Sequence, residues 1–243
     1  MRGVYLVLVG LAMVGGIVND GQAASVTMPV SSMKRVSMTV PKAQYVDDMK
    51  PVADRAVAGR KVEEYFNGMT TLRAEFSQKV EGEDFASEGT FYWRKPRQFL
   101  WQYETPVKQK IVGTGTAAYY VDQSVAGERG QVTQLPIEAG LGRLFAAKKL
   151  SLAAQGLQVV QAREGAKALE VVLALNRPTE ADLQAGVRQV KLVFAKQPAL
   201  VLARIEAADV TGATTRVSFD RVVANGPISG KLFEFTPGVY DER

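Results

Sequence analysis

The sequence predicts a mainly β (α+β) fold, in which a curved antiparallel sheet forms an incomplete half-barrel covered by an N-terminal helix and a short helical lid. Three observations lead to this fold class. Apolar and polar residues alternate in many short segments that turn residues separate. One segment before this series has helical periodicity instead. A second helical segment interrupts the series midway, where it can cover an open side of the sheet.

The chain begins with a segment that is typical of an export signal. Arg2 is followed by an apolar stretch over residues 4–18 and then by small residues, which predicts a cleaved signal peptide over residues 1–24. Residues 25–55 are rich in Ser, Thr, Met, Val and Pro and are predicted to form a flexible N-terminal extension. Residues 56–243 are long enough for one domain with a sizeable core. We therefore expect an exported protein of the bacterial periplasm.

The first element of the predicted domain is a helix from Ala56. Val62, Phe66 and Met69 recur at helical spacing, and charged residues occupy the opposite face. Alternating segments bounded by turn residues then predict strands. These strands span residues 72–79, 87–94, 98–104, 108–113, 117–122, 131–135, 158–163, 168–175, 187–195, 201–209, 214–223 and 232–235.

The alternation is interrupted once, between the strands at 131–135 and 158–163. Leu141, Leu144 and Phe145 have the spacing of a short helix with one apolar side. Because a helix in this place can cover the open side of a half-barrel, we predict that these three residues form the inner face of a lid.

The second and third strands of the series contain both Trp residues of the chain and a high density of other aromatic residues. Side chains two residues apart on a strand point to the same face. Their rings therefore form one wall, the ring face, which consists of Phe91, Trp93, Phe99, Trp101 and Tyr103. Such a wall is either the filled core of a barrel or the lining of a cavity for an apolar ligand, and alternation alone does not decide between them.

The composition argues against several kinds of site. The chain has no Cys and no His, which removes Ser-His and Cys-His catalysis and zinc bound by His or Cys. Gly113-Thr114-Gly115 lacks the later Lys and Ser or Thr of a phosphate-binding loop. The net charge of +5 is too diffuse to indicate nucleic-acid binding. We therefore predict a protein that is not an enzyme, with no catalytic residue, no metal and no cofactor.

The aromatic strands resemble the signature region of a known family. From Phe91 they read FYWRKPRQFLWQYETPVKQKIV, and the similarity continues at residues 119–122, 131–133, 141–145 and 233–239. On these residues the chain is similar to the bacterial outer-membrane lipoprotein carriers, the LolA family, over residues 58–243. The resemblance implies a half-closed barrel with a helical lid. It also implies a cavity that holds the acyl chains of a lipoprotein on its way from the inner to the outer membrane.

The resemblance also implies roles for single residues. Trp101 matches a cavity-lining Trp, and Phe99 matches a position that is important for handling cargo. The residue before the first Pro is commonly an Arg that bonds to the lid, but here it is Lys95. The lid latch is therefore predicted to be Lys95, or Arg94 in its place. The predicted acyl-binding residues are Phe91, Trp93, Phe99, Trp101, Tyr103, Ile111 and Tyr119.

The partners implied by the resemblance are lipoproteins bound through their acyl chains, an inner-membrane lipoprotein-releasing ABC transporter as donor, and an outer-membrane acceptor. The protein is expected to act as a monomer. Two alternatives stay open at the level of the sequence. One is a periplasmic sensor or regulator of the same fold that binds lipoprotein or lipid as a signal. The other is a general lipid-binding protein.

Overall fold

A computed structural model describes residues 36–39, 48–123, 131–135, 142–176, 178, 186–209 and 212–236. The predicted signal peptide and Leu141 lie outside the described residues. Within these ranges, no helix is long and apolar enough to cross a membrane.

The described chain forms two α-helices, a 3-10 helix and the strands of one sheet. Helix α1 spans Arg55–Asn67, helix α2 spans Gly142–Ala146, and the 3-10 helix spans Gly230–Phe233. The strands are β1 (Val36–Met38), β2 (Lys50–Pro51), β3 (Thr71–Val80), β4 (Ala86–Arg94), β5 (Gln98–Thr105), β6 (Gln109–Thr114), β7 (Ala118–Asp122), β8 (Gln131–Leu135), β9 (Leu157–Glu164), β10 (Ala168–Leu175), β11 (Val187–Ala195), β12 (Val201–Asp209) and β13 (Thr214–Ala224).

The sheet is antiparallel and open. Its strands follow the order β2-β9-β10-β11-β12-β13-β3-β4-β5-β6-β7-β8, and β1 pairs with the end of β13. No described pairing joins β2 to β8, so the sheet does not close into a barrel. The mainly β, antiparallel architecture predicted from the sequence is confirmed.

The sheet consists of two meanders joined along one seam. Strands β3 to β8 pair with their neighbours in the sequence, and β9 to β13 do the same. The seam is the pairing of β13 with β3, in which Phe219 lies opposite Phe76. The main core lies on one face of this sheet and includes aromatic residues from both meanders.

Helix α1 begins and ends with capping contacts. The Asp54 side chain accepts a hydrogen bond of 2.8 Å from the backbone N–H of Ala56, which satisfies one donor of the first turn. At the other end, the backbone N–H of Gly68 donates to the carbonyl of Glu64. Val62 and Phe66 lie on the buried face of the helix. This face packs on the core side of the sheet, as the helical periodicity predicted.

The structure differs from the predictions made from the sequence at two places. The extension over residues 25–55 was expected to be flexible, but β1 pairs with β13 and β2 pairs with β9, so the sheet includes parts of it. The strand predicted over residues 232–235 is wrong, because the chain forms the 3-10 helix there. Ser229 caps that helix by accepting from the backbone N–H of Lys231. The predicted strands between residues 72 and 223 are confirmed within a few residues at their ends.

Candidate functional site

The structure brings the predicted ring face together on the core side of the sheet. Phe91 lies opposite Trp101, and Trp93 lies opposite Phe99, across β4 and β5. Ile111 extends the same face onto β6, where it lies opposite Trp101. Each of these five side chains is at most 5% exposed. Tyr103, the remaining residue of the ring face, is half-buried.

The rings form one continuous cluster that crosses the seam of the sheet. Phe91 stacks on Trp101 with ring centroids 4.2 Å apart. Phe76 meets the Trp101 ring edge-on at 5.0 Å, and Phe219 of β13 lies 6.0 Å from it. Offset stacking and edge contacts are the favourable arrangements for aromatic pairs. The first meander therefore carries the ring face, and the second meander supports it through Phe219.

Gly113 makes room for Phe99. A Cβ added at Gly113 would collide with three atoms of the Phe99 ring. The two residues are partners across β5 and β6, so the ring lies directly over the glycine. A glycine inside a strand marks such a close approach. The sequence placed Gly113 at the end of a predicted strand, and its role in seating Phe99 was not predicted.

Helix α2 covers the ring face with a single inserted ring. Phe145 makes edge contacts with Phe66, Phe91 and Trp93, at centroid distances of 5.4, 5.5 and 5.7 Å. The indole N–H of Trp93 also donates a hydrogen bond of 2.9 Å to the carbonyl of Phe145. Leu144 is buried as well. Two of the three predicted lid residues thus lie in the cover, and Leu141 is outside the described residues.

The chain after α2 is tied to helix α1 by polar contacts. The Asn67 side chain accepts from the backbone N–H of Leu150 at 2.7 Å and donates to its carbonyl at 2.8 Å. Glu63 accepts from the backbone N–H of Leu152 at 2.7 Å. Residues 142–152 are called the lid segment below. The sequence reading did not predict Asn67 or Glu63 as partners of the lid segment, because neither belongs to an apolar pattern.

The two predicted latch residues lie on different sides of the sheet. Lys95 donates a hydrogen bond of 2.7 Å to the carbonyl of Phe66, in the last turn of α1. Burial lowers the pKa of Lys95. Arg94 instead donates to Gln98 and lies with its guanidinium 5.2 Å from the centroid of the Phe233 ring. Arg94 as a lid latch is therefore wrong, and Lys95 holds helix α1 rather than α2.

The placement of Tyr119 on the ring face is wrong. Tyr119 lies opposite Val112, whereas Tyr120 lies opposite Ile111 and therefore shares the face of the rings. Two adjacent Tyr residues cannot be told apart by alternation until the register is known. Tyr119 belongs to a second apolar group on the other face of the sheet, the outer cluster. This cluster consists of Leu100, Val112, Phe233, Tyr92, Tyr119, Ile228 and Phe235.

The ring face has one polar end. The hydroxyl of Tyr103 donates a hydrogen bond of 2.9 Å to the side chain of Gln78, which is buried. Asp122, also buried, lies in the same row of the sheet as Tyr103, two strands away. Burial raises the pKa of Tyr103, and the neighbouring Tyr120 raises it further. Tyr103 is therefore a neutral hydroxyl at physiological pH, available for hydrogen bonding.

Two open clefts lie away from the ring face. One, of about 330 Å³, lies beside α1 and is lined by Tyr65, Met69 and Leu200 among others. The other, of about 340 Å³, is polar and includes Lys191 and Glu206 in its lining. At the ring face, Phe145 packs against the rings of Phe91 and Trp93. Among the described residues, no group of carboxylates is arranged to hold a metal ion.

A family model described as outer membrane lipoprotein carrier protein LolA matches residues 67–236. The match begins at the last residue of α1 and includes the ring face, the lid segment and the 3-10 helix. The chain belongs to the LolA family. The resemblance stated from the aromatic strands is thereby confirmed.

The chain is similar in sequence to two outer-membrane lipoprotein carrier proteins, and a solved structure was also matched. An outer-membrane lipoprotein carrier protein of Nitrosomonas europaea is 27% identical over 199 residues, which cover 77% of this chain and 88% of that protein. The protein of the same name from Bordetella pertussis is 32% identical over 158 residues, covering 63% of this chain and 67% of its own length. A solved LolA superfamily structure from Nitrosomonas europaea covers 73% of this chain and 97% of that one, at 11% identity and a TM-score of 0.39.

Proposed function

We propose that this LolA-family protein is a periplasmic carrier that binds the acyl chains of lipoproteins against the ring face and ferries them from the inner to the outer membrane. The observation that carries the proposal is the position of Phe145. A ring from a separate helical segment packs against the aromatic face, in contact with Phe66, Phe91 and Trp93. Phe145 and Phe66 fill the space that acyl chains take when cargo is bound.

The energetics favour exchange of this cover for cargo. Transferring an acyl chain from water to an apolar surface is worth about 0.8 kcal/mol per methylene, so several long chains gain tens of kcal/mol. Four hydrogen bonds join the lid segment to Trp93 and to Asn67 and Glu63 of helix α1, each worth about 1 kcal/mol. Burial of the Phe145 ring adds about 3–5 kcal/mol, and burial of Leu144, Leu150 and Leu152 adds about 2–5 kcal/mol each. Acyl chains can therefore displace the lid segment, and the lid segment can cover the rings when cargo is absent.

A covered empty state is what a water-borne carrier requires. An exposed face of aromatic rings would be a large apolar patch, and such patches promote association with membranes and other proteins. With Phe145 in place, the rings of Phe91, Trp93, Phe99 and Trp101 are almost fully buried. The carrier can thus act as a monomer and expose its rings only to cargo.

The family resemblance implies the partners of this proposal, and the cost of extracting a lipid from a bilayer supports a donor that supplies energy. The energy gained by burying acyl chains in the carrier only balances the energy lost in leaving the membrane. An energy source is needed at the loading step, and the sequence contains no phosphate-binding loop with its Lys and Ser or Thr. An inner-membrane lipoprotein-releasing ABC transporter is the donor in this proposal. An acceptor at the outer membrane receives the cargo, and the carrier itself performs no catalysis.

Substitution of Phe99 by Glu tests the proposal, with Phe85→Glu as the matched control. Phe99 is a buried residue of the ring face, whereas Phe85 is 53% exposed and outside it. We expect wild type and Phe85→Glu to release labelled lipoprotein from spheroplasts, and Phe99→Glu to reduce release at least tenfold. Release by Phe99→Glu at the wild-type level would contradict the assignment of the ring face.

Lipid that co-purifies with the wild-type protein provides a second test, which does not depend on the folding of a variant. Mass spectrometry is expected to find triacylated or diacylated peptides. Phospholipid without acylated peptide would overturn the lipoprotein-carrier proposal and would favour a general lipid-binding protein.

A further inference from the structure

We infer that the indole N–H of Trp101 is a hydrogen-bond donor for the carbonyl group by which an acyl chain is linked to the cargo. The inference rests on the proposed function, because it concerns the same ring face. It adds a polar contact with cargo to a binding proposal that otherwise rests on apolar area. It also assigns a specificity, since the contact distinguishes an acyl chain from an alkyl chain of equal length.

The first observation is that the Trp101 N–H has no partner. The side chain is 3% exposed, and its Nε1 atom meets no hydrogen-bond acceptor within the part of the chain that the structure describes. A buried N–H without an acceptor is costly, and a buried Trp usually has a partner for this group. Phe91, Phe76 and Phe219 surround the indole and offer only ring carbons. The donor is therefore unsatisfied in the covered state.

Trp93 shows that the lack of an acceptor is not common to both indoles of the ring face. Both indoles lie on the ring face, on partner strands. The N–H of Trp93 donates to the Phe145 carbonyl of the lid segment, at 2.9 Å. When the lid segment covers the ring face, the Phe145 carbonyl thus accepts from Trp93, whereas Trp101 has no such acceptor. Opening of the lid segment frees Trp93 and gives cargo access to Phe91, which separates Phe145 from Trp101.

The second observation is the position of Trp101 between an apolar and a polar part of the face. Trp93 and Phe99 lie in the row on one side of it, and Phe145 of the lid segment contacts the Trp93 ring there. Tyr103, two residues further along β5, lies on the other side and bonds to Gln78. An acyl linkage has the same polarity pattern, with a hydrocarbon chain on one side of a carbonyl and a polar glyceryl or peptide group on the other. The carbonyl therefore falls at the level of Trp101 when the chain lies along the apolar row.

A matched pair of ligands tests the inference. The probes are a diacylated lipopeptide, with two palmitoyl ester chains on a glyceryl-cysteine, and its counterpart with two hexadecyl ether chains. The two have the same hydrocarbon, but the ether lacks the carbonyl acceptors. Affinities are measured by displacement of a bound environment-sensitive dye from wild type and from Trp101→Phe. We expect wild type to bind the ester about fivefold to tenfold more tightly than the ether, the usual size of one net hydrogen bond. Trp101→Phe should bring this ratio close to one.

The outcomes separate the two proposals. Equal binding of ester and ether by wild type would overturn the role of the Trp101 N–H while leaving the carrier function intact. Failure of wild type to bind either lipopeptide would overturn the carrier function and this inference together. A preference for the ester that persists in Trp101→Phe would assign the contact to another group.

An experiment on the wild-type protein avoids any dependence on folding of the variant. The chain has two Trp residues and therefore two indole N–H resonances, which ¹⁵N labelling resolves. The Trp101 resonance should move downfield with the ester probe and stay close to its free position with the ether probe. The Trp93 resonance should respond to both probes alike, because it reports departure of the lid segment. Identical shifts of Trp101 with both probes would overturn the inference.

Discussion

The ring face and the outer cluster occupy opposite sides of the same strands, yet they are covered in different ways. Alternate residues of β4, β5 and β6 point to one or the other, and each group receives an aromatic side chain from a short helix. That side chain is Phe145 on the ring face and Phe233 in the outer cluster. Each side also has a cation from the end of β4. Lys95 donates a hydrogen bond to helix α1 on the side of the ring face, and Arg94 lies over the Phe233 ring in the outer cluster.

The difference between these two sides lies in what would be left if the cover departed. Beneath Phe145 lies a continuous set of rings that extends to Phe219 across the seam, with an indole donor that lacks an acceptor. Beneath Phe233 lie Leu100 and Val112, a small apolar group that its own cover fills. Aromatic content alone therefore does not identify a binding face. The extent of the face and its unsatisfied polar atom set the ring face apart from the outer cluster.

Removal of the outer ring should have the largest effect on stability and little effect on binding. Phe233→Ala deletes a fully buried side chain from the outer cluster, and we expect the free energy of unfolding to fall by about 3–5 kcal/mol. The affinity of the folded fraction for the diacylated lipopeptide should stay within about twofold of wild type, because the ring face is intact. Urea unfolding and dye displacement measure the two quantities. A large loss of affinity would mean that the two sides of the sheet are coupled.

Removal of the Phe145 ring should have a smaller effect on stability than removal of Phe233 and a larger effect on binding. Phe145→Ala deletes the inserted ring, and we expect the free energy of unfolding to fall by about 3 kcal/mol. This is at the lower end for such substitutions, because the other rings can close part of the space. The variant should bind an environment-sensitive dye several times more strongly than wild type, since its rings are less well covered. Dye fluorescence titration at matched protein concentration measures this. If Phe145→Ala bound no more dye than Phe233→Ala, the distinction between the ring face and the outer cluster would be wrong.

Replacement of either cation at the end of β4 by Met should have the smallest effect on stability. Lys95→Met removes the hydrogen bond to Phe66, and Arg94→Met removes contacts of the outer side. Each should lower the free energy of unfolding by about 1 kcal/mol. Only Lys95→Met should increase dye binding, by about fivefold, the factor that corresponds to about 1 kcal/mol of lost cover stability.

The pH dependence of stability separates these two variants as well. Burial lowers the pKa of Lys95 below its ordinary value of 10.5. At a pH between the pKa of Lys95 in the folded chain and its pKa in the unfolded chain, the unfolded chain binds more protons. Lys95 therefore makes the free energy of unfolding rise with pH over that range. Lys95→Met should lose the rise, and Arg94→Met should keep it. Unfolding free energies of both variants across alkaline pH, each taken relative to wild type, provide the measurement. The same pH slope in both would contradict a buried, charged Lys95.

The parts of this molecule that the sequence predicts are those governed by local pattern. The strands from β3 to β13 and helix α1 follow from alternation and helical spacing, and the grouping of Phe91 with Trp93 follows from strand geometry alone. Tyr119 was misplaced because the choice between it and Tyr120 depends on register with β6, which is a tertiary property. Arg94 and Lys95 are adjacent cations, and only the path of the chain at the end of β4 separates their partners. The orphaned N–H of Trp101 depends on every neighbour of that ring and has no signature in the sequence.

The seam between β13 and β3 sets the order in which the ring face can be assembled. Each meander forms from strands that are neighbours in the chain, so its contacts are local and close early. Pairing of Phe76 with Phe219 joins strands from opposite ends of the domain and requires the closure of a very long loop, which is slow. Because Phe219 packs against Phe91 and Trp101, we expect the ring face to be fully supported only after this step. A chain that is still folding, or one cut before β13, should therefore lack part of the support of the proposed cargo site.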